Sequence, residues 1–428
     1  MESKLFDGVV LGVVVLVAIL VRVAYVWGLP TDELKWSDEE AFDKIAWTLA
    51  QTGHYESEAY RAAPVQPWFL AGVYRVAGHD YRAARVAQSI LGGVLVVAVY
   101  GIGTKVFDRA TGLLAAAGTA VYPPLIYLCG VFYVEHMTAV LLAVTLLFLV
   151  RWHRERHGGW LWAAGVALGL TVLCRPVVLV FVPLAAAYVA WYAERKVRWR
   201  CAGVLAVATA AVIAPWTIRN ATVFHHFLPV STGFGEQLWL GNNDVSRGDA
   251  DDRHVFPLSD LWQQRVAEIG DKARREAVWA KGKRLYENLL RLDGVEQDRL
   301  YTHEALEWMR QHPMAVLGLD ARRWVEFHAA FTRTLTQNVD VNRRNRIIAS
   351  VSSYPVLALG LVGAIVAWRQ QCAARVIHAA IISFTAVFVL LTACTRYRLP
   401  LDAFWLLFAS LAATNVFGKL RLVRDRTV

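Results

Sequence analysis

The charged residues of this 428-residue chain that could do chemistry stand beside apolar runs. Asp38 and Glu39 precede Ala41, Phe42, Ile45, Ala46 and Leu49, which recur at helical spacing until Gly53. Ser37-Asp38-Glu39-Glu40 has the order of a capping box, in which Ser37 bonds first-turn amides and Glu40 reaches back. Acids in a first turn stabilise the positive helix end by under about 1 kcal/mol. The same position offers a carboxylate, at a membrane–water boundary, that can take a proton from an acceptor hydroxyl or amine. Glu135 lies just inside the apolar stretch Phe132-Tyr133-Val134-Glu135-His136-Met137-Thr138. An unpaired carboxylate there costs several kcal/mol, so unless it reaches water from the helix end it marks a functional position. Arg175 stands in Leu173-Cys174-Arg175-Pro176, Arg219 follows Pro215-Trp216, and Arg396 and Arg398 fall between Cys394 and Pro400. Guanidinium forks match phosphate oxygens, and although one boundary arginine alone reads as a lipid-headgroup contact, several together suggest an anionic, lipid-borne ligand.

These residues need a membrane scaffold to position them. Hydrophobic residues make up 56% of the chain and charged ones 19%, against roughly 45–50% and 25% in soluble domains. Apolar runs of spanning character recur at Val9–Trp27, Arg85–Gly103, Leu113–Gly130, Val134–Trp152, Trp160–Leu173, Val177–Trp191, Gly203–Trp216, Ser350–Trp368, Ile377–Cys394 and Leu401–Phe417. The expected fold class is therefore an all-α integral membrane protein with about ten transmembrane helices. The first run follows Lys4 but contains Arg22 and ends in Tyr25 and Trp27 without a small-residue cleavage site, so it reads as an anchor. Trp27, Trp152, Trp191, Trp216 and Trp368 fall at expected helix ends, as boundary aromatics do.

The net charge of +10 requires no nucleic-acid partner. It gathers in short connections and the tail, at Lys105/Arg109, Arg151/Arg154/Arg156, Arg195/Lys196/Arg198/Arg200, Arg369/Arg375 and Lys419/Arg421/Arg424/Arg426. Placing these in the cytoplasm puts both termini there and the alternate connections on the outer face. Two outer segments are too long to be mere connectors. In residues 28–84 an amphipathic helix lies flat on the membrane; residues 218–349 form a small helical outer segment. Residues 1–217 then make an N-terminal transmembrane module and 350–428 the C-terminal helices with a basic tail. The five cysteines, Cys129, Cys174, Cys201, Cys372 and Cys394, have no C-x-x-C spacing and read as small buried hydrophobes. The run Asp249-Ala250-Asp251-Asp252 reads as a solvated turn, and His225, His226, His303 and His312 lack metal-ligand spacing. A divalent metal ion is compatible with the acids, but no residue is assigned to one.

In their order these stretches resemble a family. Asp38-Glu39 with Gly53 and Tyr55 comes first, then Pro64-x-x-Pro67-Trp68-Phe69-Leu70, Val134-Glu135-His136 and Leu173-x-Arg175-Pro176. Pro215-Trp216-Thr217-Ile218-Arg219-Asn220, Pro229-Val230-Ser231-Thr232, Gly241-Asn242-Asn243, Asp298-Arg299 with His312-Pro313, and Arg396-Tyr397-Arg398-Leu399-Pro400 follow. Together they cover nearly the whole chain and resemble the polytopic GT-C-type lipid-linked-sugar glycosyltransferases, the class of protein mannosyltransferases and the bacterial transferase that adds aminoarabinose to lipid A. The resemblance implies a polyprenyl-phosphate sugar as donor, a lipid, glycan or protein as acceptor, and inversion at the anomeric carbon on the non-cytoplasmic face of the inner membrane. It implies Asp38 as general base, Glu39 as its neighbour or substitute, and Glu135 as positioning the acceptor or supporting the base. Arg175, Arg219, Arg396 and Arg398 would hold the donor phosphate, and Tyr55, Asn220, Asn242 and Asn243 would line the substrate site. Gln66-Pro67 stands where close relatives often place Tyr-Pro, which leaves a protein acceptor unsupported. An O-antigen ligase or polymerase shares the carrier and the face, and a lipid or sugar transporter shares the helices. A transporter would carry its charges near the midplane, in matching halves.

Overall fold

The computed structural model describes residues 2–31, 33–34, 37–55, 62–331 and 343–424, and among them no strand occurs. Each apolar run folds as a helix or as a pair of short ones. The membrane part opens with α1 (Glu2–Trp27). The first outer segment follows, with α2 (Ser37–Thr52) and α3 (Val65–Ala77). Then come α4 (Tyr81–Val106), α5 (Arg109–Val121), α6 (Pro123–Tyr127), α7 (Val134–Glu155), α8 (Gly159–Cys174), α9 (Phe181–Tyr192) and α10 (Arg198–Phe224). The second outer segment holds α11 (Phe234–Gly241), α12 (Asp260–Ala267), α13 (Lys272–Leu289), α14 (Gly294–Gln311) and α15 (Pro313–His328). After it run α16 (Arg343–Gln370), α17 (Arg375–Leu390), the single turn α18 (Thr395–Arg398) and α19 (Asp402–Arg424). The Ser37 hydroxyl and the side chains of Lys4, Lys419, Arg421, Arg424 and Arg426 lie outside the described residues.

Seven of these helical stretches are long and apolar enough to cross a bilayer, and α5 with the turn after it makes an eighth, bent by 52°. The α8 and α9 stretches are apolar but short of the roughly 20 residues a straight crossing takes. The chain is an all-α, multi-pass membrane protein. One end of the bundle gathers the basic connections: Lys105 pairs with Glu155 at 2.7 Å, Arg154 donates to the Lys105 carbonyl, and Arg375 donates to the Tyr192 hydroxyl. Both long segments and the motif residues lie at the other end, where α1 finishes at Trp27 and from which α19 starts at Asp402.

A bend inside a membrane frees backbone groups that must find partners. Pro123 and Pro124 have no N–H, so the carbonyls four residues earlier, Thr119 and Ala120, lose their helical donors. Arg22 of α1, fully buried, supplies both: its guanidinium donates to the Ala120 oxygen at 2.7 Å and to the Thr119 oxygen at 2.9 Å. Gly92 of α4 leaves room for it, since a Cβ there would stand 2.5 Å from the Arg22 Nε. The residue that marked the first run as an anchor thus pins that anchor to the bend preceding Glu135.

Boundary aromatics divide in two. Trp27, Trp191 and Trp368 are exposed, whereas Trp152 and Trp216 are buried in protein. The correction at Trp216 has a plain cause: α10 continues eight residues beyond it, to Phe224, and the indole donates to the Val230 carbonyl at 2.8 Å. Cys129, Cys174 and Cys394 are buried as expected, but Cys372 is exposed in a short turn. The outer segment has its own core around Trp239, Trp262, Val278, Leu285 and Tyr301, which reaches Leu391 at the end of α17. Within it the run 249–252 corrects the sequence reading. Asp251 and Asp252 are buried. Arg265 of α12 pairs with Asp249 and Asp252, and the Asp252 carboxylate accepts from the Gly248 N–H at 2.8 Å. The neutralising arginine is supplied by the fold, from the next helix.

The helix expected flat in the first segment is α2, and a buried carboxylate fixes it. Asp43 accepts from the Tyr74 hydroxyl of α3 at 2.6 Å, from His79 Nε2 at 2.9 Å and from the Tyr81 hydroxyl at 3.2 Å. Trp47 stacks on His79 with centroids 4.5 Å apart. Asp43→Ala strips three donors of one acceptor and is expected to cost on the order of 3 kcal/mol. Hydrogen exchange over α2 will then be faster than in the wild type, and an unchanged rate would show that α2 is held by something else.

Candidate active site

The first turn of α2, the start of α7, the turn after α8 and α18 meet at one point. Asp38, Glu39 and Glu40 occupy the first turn of α2. Glu39 points inward, 1% exposed, and accepts from the Phe132 N–H at 3.0 Å, which ties α2 to the re-entrant strand of chain ahead of α7. That chain is fixed from the other side by Gln88 of α4, whose amide donates to the Cys129 and Val131 carbonyls. Asp38 is the outward neighbour, its side chain half exposed, and it pairs with Arg396 at 2.8 Å. The same guanidinium pairs with Glu135 at 2.8 Å, and Arg175 pairs with Glu135 at 2.9 Å. Glu135 is fully buried, and its Oε2 has no hydrogen-bond partner among the described residues.

Aromatic rings surround these charges. Arg396 stands 4.0 Å from the Tyr133 ring centroid. Arg175 lies 4.9 Å from the rings of both Phe388 and Tyr397. Water is thereby kept from the inner side of the cluster, where charge interactions are strongest. The Arg396 guanidinium stands between the Asp38 and Glu135 carboxylates. Elsewhere, His226, Asp293 and Glu296 bring ligand atoms within 4.8 Å of one another, but Asp293 and Glu296 are already engaged in the capping box of α14.

The remaining expected residues lie apart from this cluster. Arg398 is fully buried and pairs with Asp402 one turn on, at 3.2 Å. Arg219 stands over Tyr55, Trp216 and Phe224, 4.9–5.4 Å from their centroids, and donates to the Asn220 side chain. The Tyr55 hydroxyl donates to the Ala62 carbonyl. Asn220 donates to the carbonyls of Leu228 and Val230 at 3.1 and 2.9 Å, and Thr217 donates to Pro229 at 2.8 Å. The Trp-Thr-Ile-Arg-Asn motif is therefore a clasp that folds the chain back where α10 ends. Asn242 donates to Leu238 and Leu390, and Asn243 to Trp239 and Leu240. Arg323 of α15 donates to Gly241 and Asn242, so Gly-Asn-Asn is a second clasp, seating the outer segment on the end of α17.

A family model described as dolichyl-phosphate-mannose-protein mannosyltransferase matches residues 61–218. No curated protein matches the chain. The archaeal oligosaccharyltransferase AglB from Archaeoglobus fulgidus, solved with an inhibitory peptide and a dolichol-phosphate, is 16% identical and superposes with a TM-score of 0.61 over 99% of this chain and 52% of that one. An Archaeoglobus fulgidus oligosaccharyltransferase in the apo form gives 0.60 at 16% identity, over 100% and 52%. The chain has the polytopic GT-C-type fold. It spans about half the length of AglB. ArnT from Cupriavidus metallidurans bound to undecaprenyl phosphate is also 16% identical, with a TM-score of 0.41 over 96% of this chain and 78% of that one.

Within this GT-C fold, several residues around the cluster were not singled out from the sequence. Tyr133 and Tyr397 stood inside motifs that were read for their charges alone. Arg253 and His254 carried no signal at all, since they belong to the outer segment, in the turn Ala250–His254. The Arg253 guanidinium lies 5.8 Å from the Tyr397 centroid, and His254 feels the charges of Asp38 and Arg396. Burial, then the adjacent Arg253, holds the His254 imidazole below its ordinary value and so neutral.

Proposed function

We propose that this protein is a glycosyltransferase that moves a sugar from a polyprenyl-phosphate carrier to an acceptor on the non-cytoplasmic face, inverting the anomeric carbon, with Asp38 as general base. One observation carries the reading: a half-exposed carboxylate is paired through Arg396 with a buried Glu135 and Arg175, at the end of the bundle opposite the basic connections. Of the two acids, Glu135 faces two guanidiniums without water, which makes it a poor proton acceptor. Asp38 faces one and is open to an incoming hydroxyl or amine. As the acceptor oxygen or nitrogen attacks the anomeric carbon, its proton passes to Asp38 and the bond from that carbon to the phosphate oxygen breaks. Arginines at the site offset the charge that grows on the departing phosphate. Glu135 orients Arg396, and Glu39 holds the helix that presents Asp38.

A crevice of about 1390 Å³ supports a lipid substrate. It runs along α16, α17 and α19, between Trp324, Phe331 and Tyr354 at one end and Trp368 and His378 at the other, and exceeds the roughly 300–1,000 Å³ of a drug-sized pocket. Near its outer end Phe327 stacks on Phe388, which stacks on Tyr397, with centroids 6.1 and 4.6 Å apart. One aromatic layer thus separates the crevice from the charges, as a carrier with an apolar tail and a phosphate head requires. Purified protein in nanodiscs, given a panel of polyprenyl-phosphate sugars, should consume one of them and release polyprenyl phosphate and a product of inverted anomeric configuration. Movement of an intact donor across liposomes without cleavage would overturn the reading. Ala386→Trp, which fills the crevice, should raise KM for a long-chain donor by about tenfold, the cost of one lost apolar contact, and leave a ten-carbon analogue little affected.

A further inference from the structure

Around the Tyr397 ring stand three guanidiniums, those of Arg175, Arg253 and Arg396. The carboxylates paired with Arg175 and Arg396 are Asp38 and Glu135, so three positive charges and two negative meet around the ring, and the buried Asp251 adds its charge beside His254. Arg175 is paired with Glu135, and Arg396 with both acids. Arg253 is the remainder: among the described residues its guanidinium has no carboxylate in ion-pair distance; its Nε donates to the Ala250 carbonyl at 3.0 Å, and its neighbour on the other side is Tyr397, a neutral phenol. Next to it, the Nε2 of His254 is buried without a hydrogen-bond partner. A cation with no carboxylate in ion-pair distance and an unsatisfied imidazole nitrogen side by side, at the edge of a cluster whose other guanidiniums are paired, are what an anion would complete.

The turn that carries both is held firmly. Arg265 pairs with Asp249 and Asp252 on its near side, and Arg247 and Gly248 donate their N–H groups to Asp252. That scaffold rests on the end of α17 through Gly241 and Asn242. The outer segment thus presents Arg253 and His254 to the charges of the transmembrane part.

We propose that Arg253, with His254 beside it, receives the phosphate of the lipid-linked donor, while the paired Arg396 and Arg175 serve to orient the acids. This rests on the reading that the donor is an anionic polyprenyl carrier, and it moves the main phosphate contact from the transmembrane arginines to the outer segment. It also explains why that segment is clasped twice to the spans: its register decides where the anion binds.

The test titrates the full chain in nanodiscs with undecaprenyl phosphate and, separately, with uncharged undecaprenol. The wild type should bind the phosphate more tightly. Arg253→Ala should lose at least about tenfold of the affinity for the phosphate, as removal of a charge-assisted bond does, with undecaprenol binding unchanged; Arg253→Lys should regain part of the loss and His254→Ala should show a smaller one. Arg253→Gln, which keeps the length over Tyr397, carries the same comparison if the alanine variant does not fold. Wild-type affinity for the phosphate in the Arg253 variants overturns the assignment while the anionic donor stands. A wild type that binds phosphate and alcohol equally overturns both.

Discussion

Asp38→Asn is expected to slow sugar transfer by about 10²- to 10⁴-fold, the range a positioned general base supplies. The amide keeps the shape of the carboxylate and an oxygen for Arg396, but it cannot take a proton at neutral pH. Stability should hardly move. The Asp38 side chain is half exposed and its partner's is 23% exposed, and surface pairs of this kind contribute about 0–1 kcal/mol. Initial rates with the cognate donor, set beside thermal unfolding of the same preparation, separate the two effects. A wild-type rate in a folded Asp38→Asn protein would remove Asp38 from the reaction, and with it the reason for assigning the chemistry to the first turn of α2.

Glu135→Gln should do the opposite to stability. The carboxylate is fully buried between two guanidiniums, and removing one partner from such a group costs about 3–5 kcal/mol because the other charges stay buried and unpaired. Transfer should also fall steeply, because Arg396 loses the anchor that aims it at Asp38. The double variant Glu135→Gln with Arg175→Gln distinguishes these roles. Removing the surplus charge should recover part of the thermal stability, whereas transfer should stay low, since Arg396 is still unanchored. Equal recovery of both would mean that Glu135 acts on activity only through folding. A Glu135→Gln protein as stable as the wild type would contradict the ion-paired geometry itself.

The apolar runs, the turn of basic charge to one end and the amphipathic α2 could be read from the chain, because each depends on residues within about 20 positions and on the solvent around them. The sequence also placed charged residues at the ends of apolar runs, and Asp38, Glu135, Arg175 and Arg396 meet at one end of the bundle. It could not separate motif residues that meet a ligand from motif residues that hold the backbone. Asn220, Asn242 and Asn243 have the donors of a binding site, and the fold turns those donors onto carbonyls 3 to 148 positions away. Arg398 differs from Arg396 by two positions, and rotation around a single helical turn sends one to Asp402 and the other to Asp38 and Glu135. Nor could the chain announce that an acidic run in the outer segment would be buried on Arg265, or that the residues following it, Arg253 and His254, would reach the cluster. Charge pairing over such separations is a matter of which surfaces meet. The spans themselves follow from local hydrophobicity, and only their packing with the outer segment decided where each charge finds its partner and which guanidinium of the cluster has, among the described residues, no carboxylate in ion-pair distance.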